Sequence, residues 1–344
     1  MKIWLCAHLS LLFLIQTITT AFSQKLSLKQ FPEKQMLQAG VWKDTDGNFI
    51  NAHGGGILHH QGVYYWFGEI KKGKTWLLPD QKMECYRVPA SGISCYSSKD
   101  LKNWKFEKIA LSATVSDTES DLDTSKVIER PKVIYNQKTK QFVMWMHVDY
   151  KDYSYAHAGV AVSDNPAGPY RYLGSVKPNG QDSRDMTIFK DDNGSAYLIH
   201  ASEDNNTMYI NQLSNDYCSV TNQYIRISEG KRREAPAMFK FGKKYYLLTS
   251  ACTGWSPNAA SYAVSDSPLG DWKPMGNPCI GPFSETTFSS QGTFVLPINA
   301  KNGKFLFIAD RWNKTDLENS RYLWLPMEVK GDIINITWSA KVPD

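Results

Sequence analysis

Short apolar or alternating runs separated by Gly, Asn, Asp and Lys turns recur along the whole chain, and no long stretch carries helical spacing. That pattern predicts an all-β fold. It also repeats. A polar residue, a strand, a polar turn and a strongly apolar second strand appear five times. The copies are HGGGILHHQGVYYWFGE from His53, ERPKVIYNQKTKQFVMWMHVD from Glu129, DMTIFKDDNGSAYLIHASE from Asp185, EAPAMFKFGKKYYLLTSACTGW from Glu234 and QGTFVLPINAKNGKFLFIADRW from Gln291. A plainer hairpin follows each of the first four, and VSDNPAGPY (162–170) closely resembles VSDSPLGDW (264–272). Four strands in each of five units predict a five-bladed β-propeller, with radial sheets that expose few edges. A two-sheet sandwich is the alternative, and five evenly built copies fit it less well. The segment VWKDTDGNFI (41–50) is placed to help close the ring.

The first residues depart from this pattern. MKIWLCAHLSLLFLIQTITTAFSQ has a lysine, a short apolar run and the small-residue pattern Ala21-Phe22-Ser23, which reads as a signal peptide cleaved after Ser23. The expectation is therefore a leader over 1–23 and a single exported domain over 24–344, secreted or periplasmic. No later run approaches the ~20 apolar residues of a membrane span. The net charge of +5 is spread in short runs punctuated by acids, which argues against a nucleic-acid surface. One of the six cysteines lies in the leader. Cys85 and Cys95 flank a turn-like segment that an oxidising compartment could staple. No CxxC pair or His/Cys spacing suggests zinc, so neither a metal nor a cofactor is expected.

The propeller gives the polar heads of the repeats a meaning. The first strand of each blade lines the axis, so His53, Glu129, Asp185, Glu234 and Gln291 converge at one end of it. The second strands return to that end and bring Glu69, Asp149 with Tyr153, Glu203 with Asn205, Thr253 with Trp255, and Asp310 with Arg311. Three carboxyl groups crowded together cannot all ionise normally, because burial and like charge raise some pKa values while a nearby arginine lowers others. That suits a reaction needing a proton donor near neutral pH, and glycoside hydrolysis leads the candidates. An aromatic content of 13% suits sugar stacking, although single residues such as Trp66 and Trp145 read as blade core. His53, beside three glycines, reads equally as a structural histidine.

At these residues the chain resembles glycoside hydrolase family 43, and within it the exo-β-1,3-galactanases. The motifs HGGGIL, YYWFGE, VIERPKVIYN, DSRDMTIFKDDNGSAYLIHAS, EAPAMFK, YYLLTSACTGW, SSQGTFVLP and SRYLWLP carry the resemblance over essentially the whole chain. The resemblance implies that Glu234 is the general acid, that Asp185 tunes and orients it, and that Glu129 holds the sugar where cleavage occurs. It further implies sugar contacts at Glu69, Tyr153 and Asn205 and a pocket wall at Trp255. Where the wider family carries an aspartate base, this chain reads Ala52-His53-Gly54. In the galactanases a glutamine matching Gln291 is thought to serve the attacking water through its imidic acid tautomer, with Glu129 the rival. Expected substrate contacts are thus Glu69, Tyr153, Asn205, Thr253, Trp255, Arg311 and His53. The expected activity is an inverting, exo-acting release of galactose from β-1,3-galactan or arabinogalactan oligosaccharides by a monomer. A family 43 arabinofuranosidase or galactofuranosidase, and a non-catalytic sugar-binding propeller, are the alternatives.

Overall fold

A computed structural model describes residues 41–77 and 86–339. The predicted leader lies outside them, as does Cys85. Four-stranded antiparallel sheets form blades 1 to 4. Their first strands are His53–His60, Val127–Asn136, Met186–Lys190 and Arg233–Phe241. Blade 5 begins with Gln291–Asn299 and carries a fifth strand, Cys279–Ile280, paired in parallel with Ile333–Thr337. The first strand of each blade lies against that of the next, and the first strand of blade 5 returns to that of blade 1. The molecule is the five-bladed β-propeller that its repeats predict.

The apolar second strands explain the packing. Each of the five hydrophobic clusters among the described residues fills the space between two neighbouring blades. Trp145 illustrates how such a seam is held, being fully buried while its Nε1 donates to the Tyr217 carbonyl of blade 3 at 2.8 Å. The seam between blades 5 and 1 is the richest in tryptophan, with Trp66, Trp104 and Trp324 buried together. Segment 41–50 closes the ring here without adding a strand to either blade. Trp42 sets its ring 4.7 Å from Trp324 and 5.9 Å from Trp66. Cys95 is a free thiol buried in the seam between blades 1 and 2, and the pairing with Cys85 that the spacing allows falls on a residue outside the described ones. Its side chain faces the core, where it packs as a small apolar residue.

Antiparallel pairing brings the head of each first strand beside the end of the second. His53 pairs with Glu69, Glu129 with His147, Glu234 with Ser250 and Gln291 with Asp310. Three blades share a further device just inside the head. The register slips between His53 and Gly56, between Glu129 and Lys132, and between Glu234 and Ala237. At each slip the residue after the head is left-handed: Gly54 at φ 58°, Arg130 at 56° and Ala235 at 50°. Such bulges re-aim the neighbouring side chain. Glycine adopts this conformation freely, whereas Arg130 and Ala235 bear strain of about 1–3 kcal/mol each.

Candidate active site

The strain is held by hydrogen bonds that also build the site. Asp185 Oδ2 accepts the Ala235 N–H at 3.0 Å, fixing the backbone next to Glu234. The same carboxylate takes Arg130 Nε at 2.9 Å and Nη2 at 2.8 Å, a two-pronged ion pair. Lys132 Nζ lies buried beneath, donating to the carbonyls of Gly54 at 2.8 Å and Arg130 at 3.4 Å.

Gln291 stands at the centre. Its Nε2 donates to Glu234 Oε1 and to Ser250 Oγ, each at 3.0 Å. Its Oε1 accepts from Arg130 Nη2 at 2.6 Å and Trp312 Nε1 at 3.0 Å. Glu234 Oε2 meets Asn205 Nδ2 at 3.4 Å. Burial and the adjacent Asp185 lift the Glu234 carboxyl to about 8, against opposing effects of Arg130, Cys252 and Gln291. Glu234 is therefore a carboxylic acid at neutral pH, able to donate a proton.

A second group of charges lies across the cavity. Lys71 Nζ bridges two carboxylates, 2.9 Å from Glu69 Oε2 and 3.5 Å from Glu129 Oε1. The Tyr153 hydroxyl donates to Glu129 at 3.1 Å, and His147 Nδ1 lies 3.6 Å from its other oxygen. Burial alone would raise the Glu129 carboxyl, but Lys71, the His147 hydrogen bond and Arg87 hold it well below the usual carboxylate range. Burial pushes Glu69 the other way, upward, with Lys71 only partly offsetting it. Burial would likewise lower His147, yet Asp149, 2.9 Å from its Nε2, and Glu129 lift it to about 9. Glu129 is thus a fixed anion, suited to accept hydrogen bonds from sugar hydroxyls.

Glu69, Glu129, Tyr153, Asp185, Asn205, Glu234, Trp255 and Gln291 all line one cavity on the axis. Three expected contacts do not. His53 is buried, with Nδ1 3.0 Å from Asp310 Oδ1 and its ring stacked on Tyr322 at 4.7 Å. It is a structural histidine. Arg311 follows strand alternation to the opposite face from Asp310 and donates to the Phe288 carbonyl at 2.7 Å. Thr253 spends its hydroxyl on Ser256 O at 2.6 Å and Asn258 Nδ2 at 2.7 Å, pinning the loop that presents Trp255.

The cavity also holds Lys71, Arg87, Arg130, His147, Arg184 and Trp312, none of them nominated from the sequence. Three had a signal. Lys71 is two residues after Glu69, His147 two before Asp149 and Trp312 two after Asp310, the spacing that keeps side chains on one face of a strand. Arg87 enters on a short hairpin, Trp76–Leu77 with Tyr86–Arg87, and places its guanidinium 3.9 Å above the Tyr153 ring. No group of three or more His, Cys, Asp or Glu among the described residues is arranged to hold a metal ion.

Residues 56–295 match the family described as glycosyl hydrolases family 43. The chain belongs to glycoside hydrolase family 43. Solved structures of the family agree with the fold and extend the likeness. A β-1,3-galactosidase bound to galactodeoxynojirimycin shares 43% identity over 88% of this chain and 98% of its own, with a TM-score of 0.80. An exo-β-1,3-galactanase from Phanerochaete chrysosporium with galactose shares 36% over 88% of this chain and 66% of its own, TM-score 0.78. Another from Clostridium thermocellum shares 35% over 87% and 64%, TM-score 0.75. No curated protein matches the chain. The protein is a family 43 glycoside hydrolase, and its substrate is a carbohydrate.

Proposed function

We propose that this enzyme removes terminal galactose from β-1,3-linked galactan, such as the backbone of arabinogalactans, with inversion at the anomeric carbon. One observation carries the reading. Glu234, Asp185, Glu129 and Gln291 meet in a single cavity of a chain 43% identical to a β-1,3-galactosidase. All five blades contribute to the cavity wall, from Glu69 of blade 1 to Gln291 and Trp312 of blade 5, and the similarity to exo-β-1,3-galactanases supports exo action. The Trp255 and Trp312 rings, 5.7 Å apart at 84°, offer two perpendicular apolar faces for sugar C–H surfaces.

Glu234 protonates the departing oxygen, and Glu129 and Tyr153 hold the sugar. Gln291 holds the water. Inversion needs the acid and the water-holding group about 6.5–9.5 Å apart, so sugar entry must break the 3.0 Å Gln291–Glu234 bond. Depressed basicity makes Glu129 a poor proton acceptor, which favours a binding role for it. The leader over 1–23 supports export of the enzyme, and N-terminal sequencing of protein recovered outside the cytoplasm tests that.

Incubation with β-1,3-galactan should release galactose alone. Larger oligosaccharides, or release only from arabinofuranosides, would overturn the assignment. Proton NMR during the first minutes should show α-galactose from the β linkage, and an initial β product would exclude inversion. The pH dependence follows from the acid. Only protonated Glu234 works, and its carboxyl ionises at about 8. Rates should therefore hold below pH 8 and fall about tenfold per unit above it. If Glu234 is the donor, Glu234→Gln should abolish this alkaline limb on substrates that need a proton; a limb that persists unchanged in the variant would assign it to another group.

A further inference from the structure

We propose that in the unliganded enzyme Arg130 is a positioning residue that holds the Gln291 amide with its nitrogen toward Glu234, so that the acid's transferable proton rests on Oε2 before substrate enters. The inference rests on Glu234 being the acid, and it begins from hydrogen-bond chemistry. An arginine guanidinium and an indole N–H can only donate. Both Arg130 Nη2 and Trp312 Nε1 approach the same Gln291 atom, at 2.6 and 3.0 Å. That atom must be the amide oxygen. The other is then the nitrogen, and its two hydrogens meet Glu234 Oε1 and Ser250 Oγ. All four hydrogen bonds of the amide are made.

Two consequences follow. Both acceptor directions of the amide oxygen are filled by donors, so the O–H of an imidic acid would find no acceptor there. The ordinary amide is the tautomer this arrangement holds. Glu234 Oε1, in turn, is engaged as an acceptor and cannot carry the proton toward Gln291. Oε2 is the oxygen that Gln291 does not meet; its Asn205 Nδ2 contact is long at 3.4 Å, and Asn205 Oδ1 is buried without a hydrogen-bond partner. A half-turn of that amide gives Oε2–H an acceptor until substrate arrives.

Arg130 acts on the acid from two sides, because it also grips Asp185, which holds the Ala235 N–H. Its own left-handed backbone is pinned by Lys132. The charged and titratable groups that act on Glu234 include Asp185, Arg130, Arg233 and the Cys252 thiol, and among them Arg130 is the one that reaches both Asp185 and Gln291.

Neutron diffraction from deuterated crystals of the unliganded enzyme at pH about 6 reads this directly. Two deuterons should lie on the Gln291 atom facing Glu234 and one on Glu234 Oε2. A deuteron on Oε1, or the amide oxygen turned toward Glu234, overturns the proposal whatever the substrate proves to be. A kinetic cycle provides the second arm. Arg130→Lys should lower kcat by about 100-fold with KM within about threefold, but by less than about 10-fold when introduced into Gln291→Ala. It should also move the alkaline limb of the kcat/KM profile upward, because the donation that eases Glu234 ionisation is lost. Equal factors in both backgrounds with an unmoved limb would reduce Arg130 to a structural residue. Absence of any galactan hydrolysis by the unmodified enzyme would instead refute the substrate assignment, with the neutron result still deciding the inference.

Discussion

Glu234→Gln is expected to reduce turnover of β-1,3-galactan by about 10²–10⁴-fold, the usual loss when a positioned acid is removed. The substitution is close to isosteric. A glutamine at this position still offers an oxygen to Gln291 Nε2, the group that meets Glu234 Oε1 at 3.0 Å. Neither the Asp185–Arg130 ion pair nor the Ala235 N–H bond to Asp185 involves the altered side chain. Melting temperature and sugar affinity should therefore hold while chemistry fails. Leaving-group dependence separates this from a binding defect. An aryl β-galactoside whose phenol departs as a stable anion needs no proton, so on that substrate the variant should lose less than about 10-fold. A variant equally slow on both substrates would show that the residue binds or shapes the site without donating the proton. A variant near normal on galactan would place the acid elsewhere in the cavity.

That this residue can be singled out at all reflects how regularly the chain repeats. The heads of four blades, Glu129, Asp185, Glu234 and Gln291, were legible because equivalent repeat positions occupy equivalent places around an axis, and all four do line the cavity. His53 holds the fifth such position and still misses it. Repeat equivalence fixes where a Cα sits but not where the side chain goes: the same bulge follows Glu129 and Glu234, which reach the cavity, whereas the His53 ring is taken up by Asp310 and Tyr322. Arg311 fails for a simpler reason, a one-residue error in strand alternation that sends it to Phe288 and leaves Trp312 at the cavity. The cations were the least legible part. Arg130 lies inside the quoted ERPK motif, yet nothing in one sequence says that it spans from blade 2 to Asp185 of blade 3 and Gln291 of blade 5. Such links are properties of the closed ring.

The glycines of HGGGIL show the same ring closure acting on stability, and Gly55→Ala should be among the most damaging single substitutions. A Cβ on Gly55 would stand 1.7 Å from the Phe67 carbonyl oxygen and 2.9 Å from Gly68 Cα. These are backbone atoms of the partner strand, so no rotamer change relieves the overlap. Relief requires moving the first strand of blade 1, and that strand carries the Gly54 N–H bonded to Asp310 at 3.0 Å and the Gly54 carbonyl bonded to Lys132 at 2.8 Å. The cost should reach about 4 kcal/mol or more, the range reserved for overpacking and broken buried networks. Set against a total stability of about 5–15 kcal/mol, this implies a fall in Tm of roughly 6 °C or more for a domain of about 300 residues. Gly62→Ala, in the turn of the same hairpin, is the matched control. Gly62 has φ 79° but no atom within 4 Å of a built Cβ, so only left-handed strain of about 1–2 kcal/mol applies. Calorimetry on both variants decides between close approach and conformational strain as the reason blade 1 needs its glycines. If the two Tm values fall equally, the steric account of Gly55 is wrong, and backbone conformation alone sets the requirement.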